Sequence, residues 1–289
     1  ILVFINFKRY IFIMITVGYT ENFISRYIAE QFYKGVPNSI LKKIENCFCE
    51  NLLISYGVLR GSYEKMKQSK NFFYVDHGYI SGMKRIYHTD PVKNHKITLL
   101  PKPGSEDFDK SYFRICYNSL FDSGVNENFN NKRFEKIGFK LNFKKKGGEK
   151  ILLIPPDENI ADKYHGIKNW EKNIVDEIKK YSDRKIIVSK KHDKKKAKDF
   201  FNEAYVIVTA YSNAGIEGML NGIPVIFTHK DRKNFDIKNI EKIFFDPQLL
   251  YNLAYYQWNI YEIRSGEAWE NMKIKWLKNL NKNVEINDR

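Results

Sequence analysis

The sequence predicts an α/β protein made of two Rossmann-like, doubly wound domains that face each other across a cleft. Short apolar runs alternate with amphipathic helical segments in both halves, a pattern typical of parallel sheets covered by helices. The 289 residues are 43% hydrophobic, which is enough for cores in two domains of about 130 residues each. We therefore assign residues 1–145 to a first domain, 146–246 to a second, and 247–289 to helices that pack across both.

The first half of the chain contains three short apolar runs separated by helical patterns. Thr20 is suited to cap the first helix and Gly35 to end it. This β-α-β-α-β order predicts a parallel sheet. The predicted strands cover residues 14–17, 51–55 and 71–75, and the predicted helices cover residues 21–34 and 61–70.

The second half alternates more regularly, after a polar, lysine-rich linker at residues 144–149. Its apolar runs are rich in β-branched residues, as expected of buried parallel strands. The predicted strands cover residues 150–154, 185–189, 205–210 and 224–227, and the predicted helices cover residues 166–181, 194–203 and 214–220.

One segment of the second half, residues 205–227, combines a strand, a polar turn, a helix and a second strand. The turn is Ser212-Asn213, so the unsatisfied N–H groups from Ser212 to Gly215 and the positive end of the helix dipole suit a phosphate. Glu217 follows in the helix, near the mouth of the same site. The alternative is an ordinary βαβ unit in which Ser212 and Asn213 only cap the helix.

The amino-acid sequence of this segment, SNAGIEGMLNGIPVI, resembles the donor-binding segment of GT-B glycosyltransferases. Non-hydrolysing sugar-nucleotide epimerases are similar in layout. The segments FFYVDHGYISG, YFRICYNSL and QWNIYEIRSGEAW are also similar to glycosyltransferase-like proteins of bacteriophages. The resemblance implies a GT-B-like fold and a nucleotide-diphosphate sugar, such as a UDP-sugar, as donor substrate, with no tightly bound cofactor.

The resemblance also implies roles for single residues of the second domain. Ser212 and Asn213 would contact the donor phosphates together with the amide of Gly215, and Glu217 would contact ribose or sugar hydroxyls. Ser189 and Lys190 follow the predicted strand at residues 185–189. Ligands of open α/β sheets bind beyond the carboxyl ends of the strands, so Lys190 or its neighbour Lys191 is expected to neutralise the diphosphate.

In the first domain, Asp76 and His77 follow the third predicted strand and are the candidate general bases. Such a base would take the proton of an acceptor hydroxyl during an inverting transfer. The alternatives are a turn-forming carboxylate and a hydrogen-bonded histidine. Arg85 and Arg114 are candidate phosphate ligands, because arginine binds phosphate in a bidentate manner.

The sequence predicts no metal site and no disulfide framework. Asp107 and Asp109 have the spacing of a metal-binding Asp-x-Asp pair, but a turn-rich context predicts a solvated loop. The three cysteines form no zinc or disulfide pattern, which favours a reducing, cytoplasmic location (the host cytoplasm for a phage protein). Lys8 and Arg9 interrupt the apolar N-terminal stretch, so no membrane-spanning segment is predicted.

The net charge of +15 is concentrated in residues 132–150 (net +6) and 179–198 (net +8). Clustered positive charge predicts a polyanionic partner, and here favours DNA. The predicted acceptor is therefore a hydroxymethylated base flipped out of the duplex. The alternatives are a surface polysaccharide or glycolipid acceptor, a sugar-nucleotide epimerase, and a non-catalytic DNA-binding protein. Lysine-rich coding bias would also raise the charge without any partner.

Overall fold

The computed structural model forms two compact units, one made of Ile1–Leu120 with Tyr256–Arg289 and the other of Phe121–Tyr255. The residues that the structure describes are 2–5, 9–12, 14–48, 50–80, 82, 86–89, 96–121, 124–139, 141 and 148–287.

The elements up to Leu120 all belong to the first unit, and a 3-10 turn at Ile44–Asn46 lies among them. In chain order they are β1 (Leu2–Ile5), β2 (Arg9–Phe12), β3 (Ile15–Tyr19), α1 (Phe23–Gly35), β4 (Ser39–Lys43), β5 (Leu52–Tyr56), α2 (Ser62–Gln68), β6 (Phe72–His77), β7 (Ile86–Thr89), β8 (Lys96–Leu99), α3 (Glu106–Asp109) and β9 (Tyr112–Tyr117).

The chain then builds the second unit and returns to the first. The second unit contains α4 (Lys132–Lys136), β10 (Lys150–Ile154), α5 (Glu158–His165), α6 (Trp170–Ile178), β11 (Ile186–Val188), β12 (Ala204–Thr209), α7 (Asn213–Leu220), β13 (Val225–Phe227) and α8 (Gln248–Ala254), with 3-10 helices at Ala197–Phe200 and Ile237–Lys242. The returning segment adds β14 (Gln257–Asn259), α9 (Ile260–Arg264) and α10 (Glu267–Asn287) to the first unit.

The first unit is built on a six-stranded sheet of order β14-β9-β6-β5-β3-β4. The four strands β6, β5, β3 and β4 are parallel, as the sequence predicts for three of them, whereas β9 pairs antiparallel with both β6 and β14. Helices α1, α9 and α10 cover an apolar core that includes Phe32, Phe73 and Phe113 with Trp269 and Trp276. Burial of such large apolar side chains supplies most of the stabilisation of a sheet–helix layer.

The second unit contains a fully parallel sheet of order β11-β10-β12-β13. The chain moves outward from β10 to β11 and then crosses to β12 on the other side, so the direction of winding reverses between β10 and β12. Residues of these strands, such as Ile151, Val206 and Val208, are completely buried. The predicted α/β class with parallel sheets is confirmed, and a crevice for a ligand is expected at this reversal.

Some predicted elements differ from the structure. The predicted helix at 194–203 is only a short 3-10 helix, Ala197–Phe200, and the one at 166–181 begins at Trp170. Helix α5 was missed, because Pro155-Pro156 indicates a loop. Asp157 accepts a hydrogen bond from the Ile160 amide and thereby starts this helix directly after the prolines.

The boundaries between the compact units lie at residues 120/121 and 255/256, whereas the predicted domain boundaries lie at 145/146 and 246/247. Helix α4 lies in the second unit because Phe134 packs on Tyr251 of α8, with ring centroids 5.6 Å apart, and Arg133 Nε donates to Ala254 O at 2.8 Å. The predicted domain boundaries and the packing of C-terminal helices across both domains stay predictions.

No helix in the described part of the chain combines the length and the apolar character that crossing a bilayer requires.

Helix α1 lies close to α9 and to the turn that follows it, where Gly35 faces Gly266. A Cβ added to Gly35 would lie 1.9 Å from Ile263 O and 3.1 Å from Gly266 N, so backbone atoms would have to move. Overpacking of this kind typically costs about 1–3 kcal/mol. We expect Gly35→Ala to lower the free energy of unfolding by about 2 kcal/mol or more, measured by urea denaturation.

The matched control is the neighbouring exposed residue, Lys34→Ala, for which a change within about 0.5 kcal/mol is expected. Equal stability of the two variants would show that this helix contact does not constrain the first unit.

Candidate functional site

The candidate site is the carboxyl edge of the second sheet, where the winding reverses between β10 and β12. Thr209, the last residue of β12, donates its hydroxyl to Ile154 O, at the end of β10, at 2.7 Å. The same hydroxyl oxygen accepts a hydrogen bond from Ser212 N at 3.3 Å. Thr209 therefore joins the two central strand ends to the turn that starts α7.

Ser212 is the N-cap of α7, and its hydroxyl oxygen accepts a hydrogen bond from Ala214 N at 3.2 Å. The capping role that the sequence left open is therefore present. Ser212 and Asn213 are half-buried, so both also keep surface available to a ligand. Gly215 N, a predicted phosphate donor, donates to Ser212 O at 3.0 Å. Capping by the Ser212 hydroxyl satisfies only one of the first-turn N–H groups, so it does not by itself exclude anion binding at the helix start.

Gly215 and Glu217 occupy different surroundings on α7. A Cβ at Gly215 would lie 3.1 Å from the Phe227 ring and from Thr209 Cγ2, so this glycine lets the helix start lie close to the sheet. Glu217 is exposed, although partial desolvation raises the pKa of its carboxyl and the charge of Lys198 opposes that shift. Gly215 thus shapes the turn, while Glu217 lies further along the helix surface.

The turn is also tied to the segment that follows β13. Thr228 N donates to Thr209 O at 3.0 Å, and His229 N donates to Ala210 O at 3.1 Å. Arg232, which is fully buried, donates through Nη1 to Tyr211 O at 2.8 Å. Three successive carbonyl groups before the N-cap are therefore held in place.

Four rings pack together beside this turn: Phe121, His165, Tyr211 and His229. Phe121 stacks on Tyr211 with ring centroids 4.3 Å apart, and the two imidazoles are 5.2 Å apart. Burial, and then the Asp157 charge, raise the pKa of the Tyr211 hydroxyl to about 12. Burial lowers the pKa of His229, with Asp231 opposing and Arg232 assisting. His229 is therefore neutral at pH 7.

Ser189 and Lys190 follow β11 at the same edge. Ser189 is 2% exposed, and its hydroxyl has no hydrogen-bond partner among the described residues. Such a buried polar group costs free energy unless a ligand or water satisfies it. Lys190 forms an ion pair with Glu171 at 2.7 Å, and the hydrogen bond to Glu171 raises the pKa of Lys190. The predicted phosphate cation is therefore already engaged by a carboxylate.

The loop after Lys190 presents other cations. Lys196 Nζ donates to the carbonyl oxygens of Lys191 and Asp193 at 2.9 and 2.7 Å, which folds the loop. Lys191, Lys194 and Lys195 are exposed, and none of the described carboxylates forms an ion pair with them. These three residues, named here the lysine loop, carry the accessible positive charge that follows β11.

The basic window at 179–198 is not one surface, because β11 divides it. Lys180 pairs with Glu177 at 2.6 Å and Arg184 with Glu241 at 3.0 Å on the amino-terminal side of β11, whereas the lysine loop follows its carboxyl end. In the other window, Lys150 pairs with Glu203 at 2.5 Å, and residues 140 and 142–147 lie outside the described residues. The DNA partner that the sequence favours at residues 132–150 and 179–198 is therefore not supported by the charge arrangement at 179–198.

A cavity of about 590 Å³ adjoins the end of β10. Asp162 and Glu171 are both neutralised, through pairing with Lys168 at 3.6 Å and with Lys190. The cavity is thus polar but nearly neutral, and large enough for part of a small ligand. It is lined by Pro155, Pro156, Glu158, Asn159, Ala161, Asp162, Lys163, Ile167, Lys168, Asn169, Trp170 and Glu171.

In the first unit, the predicted catalytic residues lie at the end of β6. Asp76 Oδ2 is 2.9 Å from Arg114 Nη2 and accepts a hydrogen bond from the Tyr74 hydroxyl at 2.6 Å. Burial would raise the pKa of the Asp76 carboxyl, but Arg114, His77 and the Tyr74 hydrogen bond outweigh it, so the pKa is lowered. A carboxylate held in this way is a weak proton acceptor near pH 7.

His77 is half-buried, and its ring makes an edge contact with Tyr56 at 6.3 Å. It is therefore the better placed of the two candidates for proton transfer, since histidine is the side chain that most readily exchanges protons near neutral pH. Arg114 is 8% exposed and binds Asp76, not an external phosphate. Arg85 lies outside the described residues.

The solvated loop that the sequence predicts for Asp107 and Asp109 is the short helix α3, in which Asp107 is exposed and Asp109 is buried. Asp109 ends α3, is 5% exposed, and bonds to the Tyr27 hydroxyl at 2.8 Å and to Arg264 at 3.0 Å. It therefore joins α1, α3 and α9. Within the described ranges, no group of three or more His, Cys, Asp or Glu residues is arranged to hold a metal ion.

Sequence reasoning missed Arg232 and the ring cluster. Arg232 follows the strand motif by five residues, in the string THKDRK, where a buried arginine cannot be distinguished from its exposed lysine neighbours. Phe121 lies 90 residues before Tyr211, so their stacking has no local signal. The one available hint was that arginine is rare in this lysine-rich chain.

No protein-family profile matches this chain, and no curated protein matches its sequence. Among solved structures, it is similar to Thermosulfurimonas dismutans KpsC, a beta Kdo 2,7 transferase, with 11% identity over 87% of this chain and 98% of that chain and a TM-score of 0.46. Two structures of the wall teichoic acid polymerase TagF each have 11% identity over 94% of this chain and 90% of that chain, with TM-scores of 0.26 and 0.24.

The Asp76–Arg114 pair makes a prediction about pH. We expect Asp76→Asn to lower the free energy of unfolding at pH 7 by about 2 kcal/mol, because it removes the carboxylate that faces a buried guanidinium. The folded-state pKa of Asp76 lies below its unfolded value of about 3.9, so this contribution is present above about pH 4 and is lost as the pH falls further. Urea denaturation from pH 7 to pH 3 measures it.

The control for this pair is Asp107→Asn, an exposed carboxylate in the same unit. A stability difference between wild type and Asp76→Asn that stays constant down to pH 3 would contradict the ionised pair.

Proposed function

We propose that this protein is a glycosyltransferase of GT-B-like arrangement that moves a sugar from a nucleotide-diphosphate donor to a hydroxyl acceptor. The proposal rests on the turn at Ser212 and Asn213, which hydrogen bonds from Arg232 and to Thr209 hold in place. This turn lies where the winding of the parallel sheet reverses. The buried Ser189 hydroxyl supports it, because this group has no partner among the described residues at the same edge of the sheet.

Each part of the donor has a proposed partner. Ser212, Asn213 and the first amides of α7 bind the pyrophosphate, and the lysine loop supplies positive charge in place of Lys190, which is paired with Glu171. Glu217 binds hydroxyl groups of the ribose or the sugar, as the family resemblance implies. The nucleotide is proposed to be UDP, and the proposed reaction needs no metal ion.

For the chemical step, His77 is the proposed general base and Asp76 its structural neighbour. His77 Nε2 or Nδ1 takes the proton of the acceptor hydroxyl while the hydroxyl oxygen attacks the anomeric carbon. The bond from that carbon to the diphosphate oxygen breaks, and the nucleoside diphosphate leaves.

The distribution of charge bears on the acceptor. A protein that flips a base out of DNA needs positive charge along the phosphate backbone. In the window at 179–198, Lys180, Arg184 and Lys190 are ion-paired, and the remaining charge is divided between the two ends of β11. We therefore propose a hydroxyl group of a surface polysaccharide or glycolipid as acceptor, in preference to a hydroxymethylated DNA base.

The donor site predicts a specific loss of affinity. We expect wild-type protein to bind UDP in titration calorimetry without added metal and in EDTA, and Ser212→Ala to raise the dissociation constant about five- to tenfold. The reason is that this variant lacks the hydroxyl that donates to a phosphate and caps the turn.

The matched control is Ser105→Ala, which removes the N-cap of α3 in the first unit, where the hydroxyl accepts from Phe108 N. Its UDP affinity is expected to equal that of wild type. No binding of UDP, CDP, GDP or pyrophosphate to the wild-type protein at millimolar concentration would refute the donor site.

The acceptor is tested by mass spectrometry with a UDP-sugar and two acceptors, an oligosaccharide mixture and a duplex containing hydroxymethylcytosine. A hexose mass gain on the oligosaccharide alone is expected, and His77→Gln is expected to reduce the rate at least about 100-fold.

Gain on the duplex alone would overturn the acceptor proposal in favour of DNA. Conversion of the donor without any acceptor would indicate an epimerase. UDP binding with no product from any donor or acceptor would indicate a non-catalytic protein.

A further inference from the structure

We propose that Arg232 is a positioning residue that sets the orientation of the peptide group before Ser212, and thereby the geometry of the anion-binding turn. The structural part of this inference stands on the contacts of Arg232. Only its consequence for nucleotide affinity rests on the proposed function.

Arg232 is an unusual residue for its surroundings. Its side chain is 0% exposed and lies between two rings, with the guanidinium carbon 5.4 Å from the Phe121 centroid and 5.2 Å from the Phe227 centroid. Arginine is among the residue types that are least often fully buried, because burying its charge is costly. A fully buried arginine beside the strand ends therefore implies a specific use of its donors.

The hydrogen bonds donated by the segment after β13 show which group the Arg232 guanidinium binds. Backbone N–H groups of Thr228 and His229 donate to the carbonyls of Thr209 and Ala210, just beyond the ends of β12 and β13. The chain then turns, and Arg232 N donates to His229 O at 2.8 Å. The Arg232 guanidinium donates to the next carbonyl along the chain, Tyr211 O, at 2.8 Å.

The carbonyl of Tyr211 and the N–H of Ser212 belong to one planar peptide group. Arg232 Nη1 holds the oxygen of this group at 2.8 Å, and Thr209 Oγ1 holds its nitrogen at 3.3 Å. The plane is thus fixed from both sides before any ligand binds. Rotation of the plane would turn a carbonyl oxygen toward the first amides of α7, where it would repel an anion, so the two bonds preorganise the turn.

The second unit offers a matched control for this role. Arg133 is also buried, at 6% exposure, and its Nε donates to a backbone carbonyl, Ala254 O, at 2.8 Å. Ala254 belongs to α8 and not to the turn at Ser212. If Arg232 only stabilised the fold, its replacement and that of Arg133 would have the same kind of effect.

The test is hydrogen–deuterium exchange of the full chain with Arg232→Met, Arg232→Lys and Arg133→Met, followed by titration with UDP. In Arg232→Met without ligand, we expect the amides of residues 210–216 to exchange at least about tenfold faster than in wild type, while the strands of the second sheet are unchanged. Arg232→Lys keeps the positive charge and a donor, so it is expected to restore part of the protection.

In Arg133→Met, the amides of residues 210–216 are expected to exchange as in wild type. The dissociation constant for UDP is expected to rise about tenfold in Arg232→Met and to be unchanged in Arg133→Met.

Unchanged exchange of residues 210–216 in Arg232→Met would overturn the inference, as would equal exchange changes in Arg133→Met. If Arg232→Met does not fold, Arg232→Lys decides: faster exchange confined to residues 210–216 supports the role, and uniform or unchanged exchange overturns it. If wild-type protein binds no UDP, the proposed function fails while the exchange result still decides the role of Arg232.

Discussion

The hydrogen-bonded hydroxyl of Thr209 is the interaction on which the candidate site depends. It donates to the end of β10 and accepts from the turn before α7, so it joins the two strands between which the winding reverses. Because Thr209 is 1% exposed, both bonds form away from water, where they orient the backbone most strongly. Together with the bond from Arg232 to Tyr211 O, this side chain sets the position of Ser212 relative to the sheet.

The structure also changes the roles of the charged residues around the two sheet edges. Asp76 and Arg114 lie opposite each other on β6 and β9, and the antiparallel pairing of these strands brings their side chains together. Each pairs with the charge of the other, so the candidate base and the candidate phosphate ligand are already engaged with one another. His77 is adjacent in sequence but lies on the other face of the strand, because side chains alternate along a strand.

The positive charge shows the same dependence on tertiary placement. A run of basic residues in the sequence is one cluster only if the backbone keeps it on one surface. Here β11 forms one edge of the sheet, and Arg184 and the lysine loop lie at its opposite ends. Pairing with Glu241 and Glu171 then neutralises residues that the linear count treats as free charge.

The sequence by itself determined the parallel strands, the helix at Ser212 and the α/β class, because apolar periodicity and N-capping act over a few neighbouring residues. Only the tertiary structure decided that Asp109 forms an ion pair with Arg264, that Lys190 forms one with Glu171, and that Arg232 donates a hydrogen bond to Tyr211 O. Each of these contacts joins residues about 20 to 155 positions apart. Their energies depend on burial and approach in space, which no local pattern of residues encodes.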